Sequence, residues 1–175
     1  MNNSTIKVVL VTYPDSFRSD EAKSLVESAA QTKTTVYAYQ IIKTFTQKYL
    51  NHSKYGIGSG KAEEIKEFVE SKTDKIIVDE RLTSKQIHNL EKLTGVPVID
   101  RERLILDIFN SRATTTEAKL QIQLAEIKYQ MPRVRENAKL TPGSKERSGR
   151  GGMGEYIVDV KFRELKRQMS FIKEK

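Results

Sequence analysis

Residues 6–11, Ile6-Lys7-Val8-Val9-Leu10-Val11, form a nearly unbroken apolar run of strand length. A run of this kind, rich in β-branched residues and without polar alternation, is typical of a strand in a sheet covered on both faces. Cover requires helices, and a helix-period segment follows. It opens at Ser19-Asp20-Glu21, and Ala22, Leu25, Val26, Ala29 and Ala30 recur at helical spacing. Thr35-Val36-Tyr37-Ala38-Tyr39 then reads as a second strand, completing one βαβ unit.

The alternation repeats. A helix is expected from about Gly60 to Ser71, with Ala62, Ile65, Phe68 and Val69 on one face, and Lys75-Ile76-Ile77-Val78 follows as a strand. Thr83-Ser84-Lys85-Gln86 has capping-box spacing ahead of a helix carrying Ile87, Leu90 and Leu93, which Gly95 ends. Val96-Pro97-Val98-Ile99 reads as a short strand, and its Pro disfavours a fully paired central position. Strands separated by helices in this order imply an α/β fold with a small, mostly parallel sheet flanked by helices. The helix after Asp100 carries Leu104, Ile105, Leu106, Ile108 and Phe109 and is expected to be buried.

Beyond this point the period changes. Leu120, Leu124, Ile127, Met131, Val134 and Ala138 are spaced alternately by four and three, as are Val158, Phe162, Leu165, Met169 and Ile172. Two such stripes joined by a non-helical loop predict a projecting antiparallel two-helix coiled-coil hairpin, with arms roughly 30 Å long at 1.5 Å per residue. The expected organisation is an α/β domain over 1–112 and a helical hairpin over 113–175. Its joining loop, 140–154, is rich in glycine.

Charge divides close to the same line. The formal charge is +8, yet residues 1–111 hold 16 Lys and Arg against 15 Asp and Glu, while residues 112–175 hold 15 against 8. An excess confined to the last third points to a polyanion partner for that segment, and nucleic acid is the commonest. The chain lacks Cys, which removes disulfides and thiolate chemistry, and it has no apolar run of membrane-spanning length. A cytoplasmic protein is expected.

Two segments are candidates for binding. Arg133, Arg135, Lys139, Lys145, Arg147 and Arg150 cluster on the hairpin loop and its shoulders, together with Gly149, Gly151, Gly152 and Gly154. Arginines fork to phosphates and stack on bases, and glycines let the backbone approach, so these residues read as an RNA-contacting tip; the plainer reading is a solvated linker. The second segment, Tyr55-Gly56-Ile57-Gly58-Ser59-Gly60-Lys61, opens a helix, and Gly58, Gly60 and Lys61 are candidate phosphate contacts. It departs from a Walker A loop: Gly56 and Gly60 are separated by three residues instead of four, and Ala62 stands where a magnesium-binding hydroxyl belongs. A conformational role for its glycines is the competing reading. His52 and His88 have no companions at metal spacing, no catalytic residue is assigned, and Asp100 is read as a helix cap.

Several stretches carry a family resemblance. They include Tyr55 to Lys61 with Glu63-Glu64-Ile65, Asp79 to Leu82, Gln86, Asn89-Leu90-Glu91, Val98-Ile99-Asp100-Arg101, Leu104 to Phe109, Arg112-Ala113-Thr114, Glu117, Lys119-Leu120-Gln121, Leu124-Ala125, Tyr129 and Pro132-Arg133. On these residues the chain resembles the amino-terminal region of HflX-type GTPases. Gly152-Met153-Gly154-Glu155-Tyr156 departs from the family's Gly-Pro-Gly-Glu-Thr at two places, which points to a divergent branch. The resemblance implies binding to the large ribosomal subunit and its rRNA through the hairpin loop, with ribosome splitting as an activity. It also implies a GTPase domain expected beyond Lys175 in the same polypeptide, where GTP and Mg2+ would bind, and no cofactor in the present residues. An independent nucleotide-binding domain using the Gly56 to Lys61 turn is the alternative.

Overall fold

The computed structural model describes residues 4–30, 37–69, 73–140 and 153–174. The chain divides into two compact units, Met1–Arg112 and Ala113–Lys175.

The first unit holds a four-stranded sheet whose paired strands are all parallel, formed by β1 (Ser4–Thr12), β2 (Tyr37–Thr46), β3 (Lys75–Val78) and β4 (Val98–Asp100) in the order β2-β1-β3-β4. The apolar run of residues 6–11 is thus a central strand, and Val8, Val9, Leu10 and Val11 are buried. Alternate residues serve opposite layers. Val8 and Leu10 pack with Ala22, Val26, Leu104 and Ile108 of α1 (Ser16–Ala30) and α4 (Arg101–Arg112). Val9 and Val11 pack with Ala62, Ile65 and Leu90 of α2 (Ser59–Val69) and α3 (Ser84–Thr94). Pro97 precedes β4, an edge strand, as its missing N–H requires.

β2 extends to Thr46, well past the expected end at Tyr39. The reason is a bulge: Val8 pairs with Ile41 and Val9 with Lys43, so Ile42 is the extra residue. Tyr39 and Ile41 face the α1/α4 layer, whereas Phe45, also odd-numbered, packs in the α2/α3 layer. A one-residue insertion reverses the faces and disrupts the period-2 pattern by which a strand is recognised.

Helix boundaries follow local chemistry. α1 starts at Ser16, ahead of the expected Ser19, because the Asp15 carboxylate accepts from the Arg18 amide at 3.0 Å and caps the first turn. The capping box of α3 is present: the Thr83 amide donates to Gln86 Oε1 at 2.8 Å and the Gln86 amide to Thr83 Oγ1 at 3.3 Å. Gly95 ends that helix in the left-handed region, φ 72°. The expectation of a wholly buried α4 needs correction. Leu104 and Ile108 are buried, but Ile105 and Leu106 are half-buried and Phe109 is 58% exposed, because one face of the helix meets the sheet.

The second unit contains α5 (Thr116–Leu140) and α6 (Met153–Lys173), packed against each other. Leu120, Ile127 and Gln130 of α5 and Leu165, Gln168 and Ile172 of α6 line a common groove of about 340 Å³. Early residues of α5 thus meet late residues of α6, which makes the pair antiparallel. Among the described side chains of α6, those not exposed are Phe162, Leu165, Met169 and Ile172, the 4-3 stripe itself. The expected loop 140–154 is too wide. Leu140 belongs to α5, and Met153 and Gly154 to the first turn of α6, where Gly154 is helical.

Candidate functional site

The turn leading into α2 is fixed from several directions. His52 and Gly56 exchange backbone hydrogen bonds at 3.3 and 2.8 Å, closing the loop between them. From α3, Gln86 Nε2 donates to the His52 carbonyl and Asn89 Nδ2 to the Lys54 carbonyl, each at 2.8 Å. Gly56 has φ +75°, and its α-carbon faces the buried Leu82 so closely that a Cβ would meet Leu82 Cδ2 at 2.2 Å. Two of the three candidate phosphate contacts are engaged internally. The Gly58 amide donates to Gln47 Oε1 at 3.1 Å, and Lys61 pairs with Glu64 at 2.5 Å while its ammonium lies 5.8 Å from the centre of the Phe45 ring. Gly60 lies in the first turn of α2, with open space where a side chain would go.

A polar network missed by the sequence reading sits where β1 and β3 end. In the order β2-β1-β3-β4 the chain goes outward from β1 to β2 and then returns across it to β3, so the carboxyl ends of these two neighbours mark the place where open α/β sheets commonly receive ligands. Here the chain fills it with its own groups. Asp79, buried, accepts from Thr12 Oγ1 at 2.9 Å and from Arg101 Nη1 at 2.5 Å, and Arg101 Nη2 reaches Glu21 at 2.6 Å. Burial raises the Asp79 carboxyl above its ordinary range, while the hydrogen bonds from Arg101 and Thr12 pull the other way. Beside it the Tyr13 hydroxyl donates to Glu80, and the Arg18 guanidinium lies 4.6 Å from the centre of the Tyr13 ring. Burial first, then the bond to Glu80, pushes the Tyr13 phenol up to about 12. Asp100 acts as the expected cap, accepting from the Arg103 amide at 2.9 Å. Its other oxygen accepts from the Leu82 amide at 3.1 Å and so ties the β3 loop to α4. The available signal was topological: residues just after parallel strands converge on one edge, whatever their separation in the chain.

Of the proposed RNA contacts, Arg133 is half-buried on α5 and stacks over the Tyr129 ring, 3.8 Å from its centre. Arg135 and Lys139 lie in the last turns of α5, and Gly154 lies in α6. Lys145, Arg147, Gly149, Arg150, Gly151 and Gly152 are outside the described residues. Among the described residues there is no group of three or more His, Asp or Glu side chains able to hold a metal ion, and no helix is long and apolar enough to cross a membrane.

The chain matches two family models in succession. Residues 18–110 match the family described as GTP-binding GTPase N-terminal, and residues 112–175 match GTP-binding GTPase Middle Region. The GTPase HflX of Thermococcus kodakarensis is 39% identical over 137 residues, which cover 78% of this chain and 31% of that protein. The GTPase HflX of Methanocaldococcus jannaschii is 41% identical over 138 residues, covering 78% and 34%. The solved structure of an SsGBP and GDP complex matches with a TM-score of 0.63 and 25% identity over 97% of this chain and 44% of that one. A GTP-binding protein of Sulfolobus solfataricus, in complex with GDP, shares the fold with a TM-score of 0.60 over 96% of this chain and 46% of that one, at 24% identity. The present chain belongs to the HflX-type GTPase family, of which it represents the amino-terminal and middle regions. It spans about a third of the length of these curated relatives.

Proposed function

We propose that this chain is the ribosome-binding and regulatory region of an HflX-type GTPase. Its paired helices act as a stiff arm that carries a cationic tip to the rRNA of the large ribosomal subunit in the cytoplasm. GTP binding and hydrolysis, with Mg2+, fall to a GTPase domain of the same polypeptide, and the coupled action is the splitting of ribosomes. The observation that carries this reading is the charge of the second unit: residues 113–175 hold 14 Lys and Arg against 8 Asp and Glu, on a scaffold that belongs to this family. Salt-bridged helix surfaces keep their charges balanced, whereas an excess of this size on a slender helical pair favours a polyanion.

Sedimentation of the chain with purified large subunits at rising salt tests the reading. Binding is expected, it should weaken steeply as salt rises, and it should be lost in Arg147→Glu/Arg150→Glu. Absence of binding at low salt, or binding indifferent to that charge reversal, would overturn it.

A further inference from the structure

The cationic character of the second unit extends beyond the loop. Lys161, Arg163, Lys166 and Arg167 are all exposed on α6, against two carboxylates, Asp159 and Glu164, from Asp159 to Lys173. Lys166 lies over the Phe162 ring at 5.2 Å. Arg163 and Arg167 have a more telling position. The stripe of Phe162, Leu165, Met169 and Ile172 is turned toward α5, and at 100° per residue the two arginines fall on the opposite side of the helix.

We infer that Arg163 and Arg167 form a second RNA-binding surface, on the shaft of the arm, that tracks the phosphate backbone of an RNA strand. Three features separate this face from an ordinary solvated one. First, Asp159 stands four residues before Arg163 and Glu164 three before Arg167, spacings at which helical charges can pair, yet among the described residues neither arginine is in an ion pair. Second, the carboxylate between them is engaged elsewhere, since Glu164 accepts from Gln168 Nε2 at 2.9 Å. Third, four residues of helix separate the guanidinium groups by about 6 Å along the axis, which suits successive phosphates of one strand. The helix holds this spacing rigidly because its other face is committed to α5, so little ordering entropy opposes the contact. Fixed spacing along a shaft fits a structured RNA.

This inference rests on the ribosome-binding reading, and the two can fail separately. Affinity of the chain for large subunits, and for protein-free rRNA from them, is measured across 50 to 200 mM salt for three proteins: wild type, Arg163→Gln/Arg167→Gln, and Arg147→Gln/Arg150→Gln. The shaft variant is expected to lower the slope of log affinity against log salt by about 1.5, since each lost phosphate contact removes roughly 0.7 to 0.9. It should also weaken binding several-fold on both probes with unchanged helicity by circular dichroism. An unaltered slope and affinity in the shaft variant, alongside weakened binding in the loop variant, overturns the shaft surface and leaves the ribosome reading standing. Loss confined to intact subunits, with rRNA binding unaltered, assigns the face to ribosomal protein and also overturns it. If the wild type binds neither probe, the ribosome reading falls and this surface falls with it.

Discussion

Gly56 and Leu82 lock the loop before α2 to the loop after β3: the glycine takes φ +75°, and the space its side chain would need is filled by Leu82 Cδ2, 2.2 Å from the Cβ position. Leu82 is itself 1% exposed and belongs to the α2/α3 core layer, so it has little room to withdraw. The contact makes this glycine a packing residue as well as a turn residue.

Three glycine substitutions separate these two roles. Gly56→Ala meets both the left-handed backbone and the clash, and should cost about 2–4 kcal/mol in urea unfolding. Gly95→Ala meets a φ of +72° with open space around it, so only the backbone term of about 1–2 kcal/mol remains. Gly60→Ala, helical and unobstructed, should be neutral or stabilise by up to about 1 kcal/mol. Equal losses at Gly56 and Gly95 would show that Leu82 yields freely.

Tyr13 should be the late titrator among the tyrosines that absorb as phenolates at 295 nm. Its phenol is pushed up to about 12 by burial and by the bond it donates to Glu80. Since the folded pKa lies above the unfolded value near 10, the stabilising contribution is complete below pH 10 and disappears as pH rises toward 12. Tyr13→Phe should remove one high-pH ionisation step and flatten the loss of stability between pH 10 and 12. An alkaline titration curve identical to wild type would refute this placement of the hydroxyl.

Arg101 holds three elements at the carboxyl edge of the sheet, and its removal should be felt through Asp79. Burial already raises that carboxyl, and the guanidinium is the main group opposing the rise. Arg101→Ala therefore raises it further and leaves a poorly solvated carboxylate at neutral pH. A raised carboxyl favours the fold below its unfolded pKa, and that advantage is lost as pH rises through the folded value. The variant should be destabilised by about 2 kcal/mol at pH 7, discounted for the partial exposure of Arg101, and by clearly less near pH 4 where Asp79 takes up its proton. A deficit independent of pH would point to lost packing of the arginine stem instead.

How far the sequence reveals these features depends on how local their causes are. Thr83 and Gln86 lie three residues apart, so their capping box was legible, and the 4-3 stripe of α6 was legible because helical periodicity survives wherever one face is buried. β2 was cut short because the bulge at Ile42 reverses the alternation, a consequence of pairing with β1 that the segment alone does not disclose. The Thr12, Asp79, Arg101 and Glu21 network was invisible for a stronger reason. Its members are brought together by strand order, and nothing in their spacing marks them. In the two candidate binding segments the basic, glycine-rich composition was plain, while the internal hydrogen bond of Gly58 to Gln47 depends on a side chain eleven residues away.

Among the described residues, Ile127 and Leu165 are the buried apolar side chains of α5 and α6, and they set the strength of the helix pair. Truncating Leu165 to Ala leaves the chain helical, since Ala favours helix, but opens a void against α5 and should cost about 2–4 kcal/mol. Val160→Ala makes a smaller cut on the same helix at a position 46% exposed, and should change stability by no more than about 0.5 kcal/mol. Because the two helices form a compact unit separate from the sheet, amide hydrogen exchange resolves where the loss falls: Leu165→Ala should speed exchange along α5 and α6 while leaving β1 and β3 protected. Protection of α5 that survives Leu165→Ala would mean that the two helices do not depend on this stripe, and the stiff arm on which the proposed RNA binding relies would lose its physical basis.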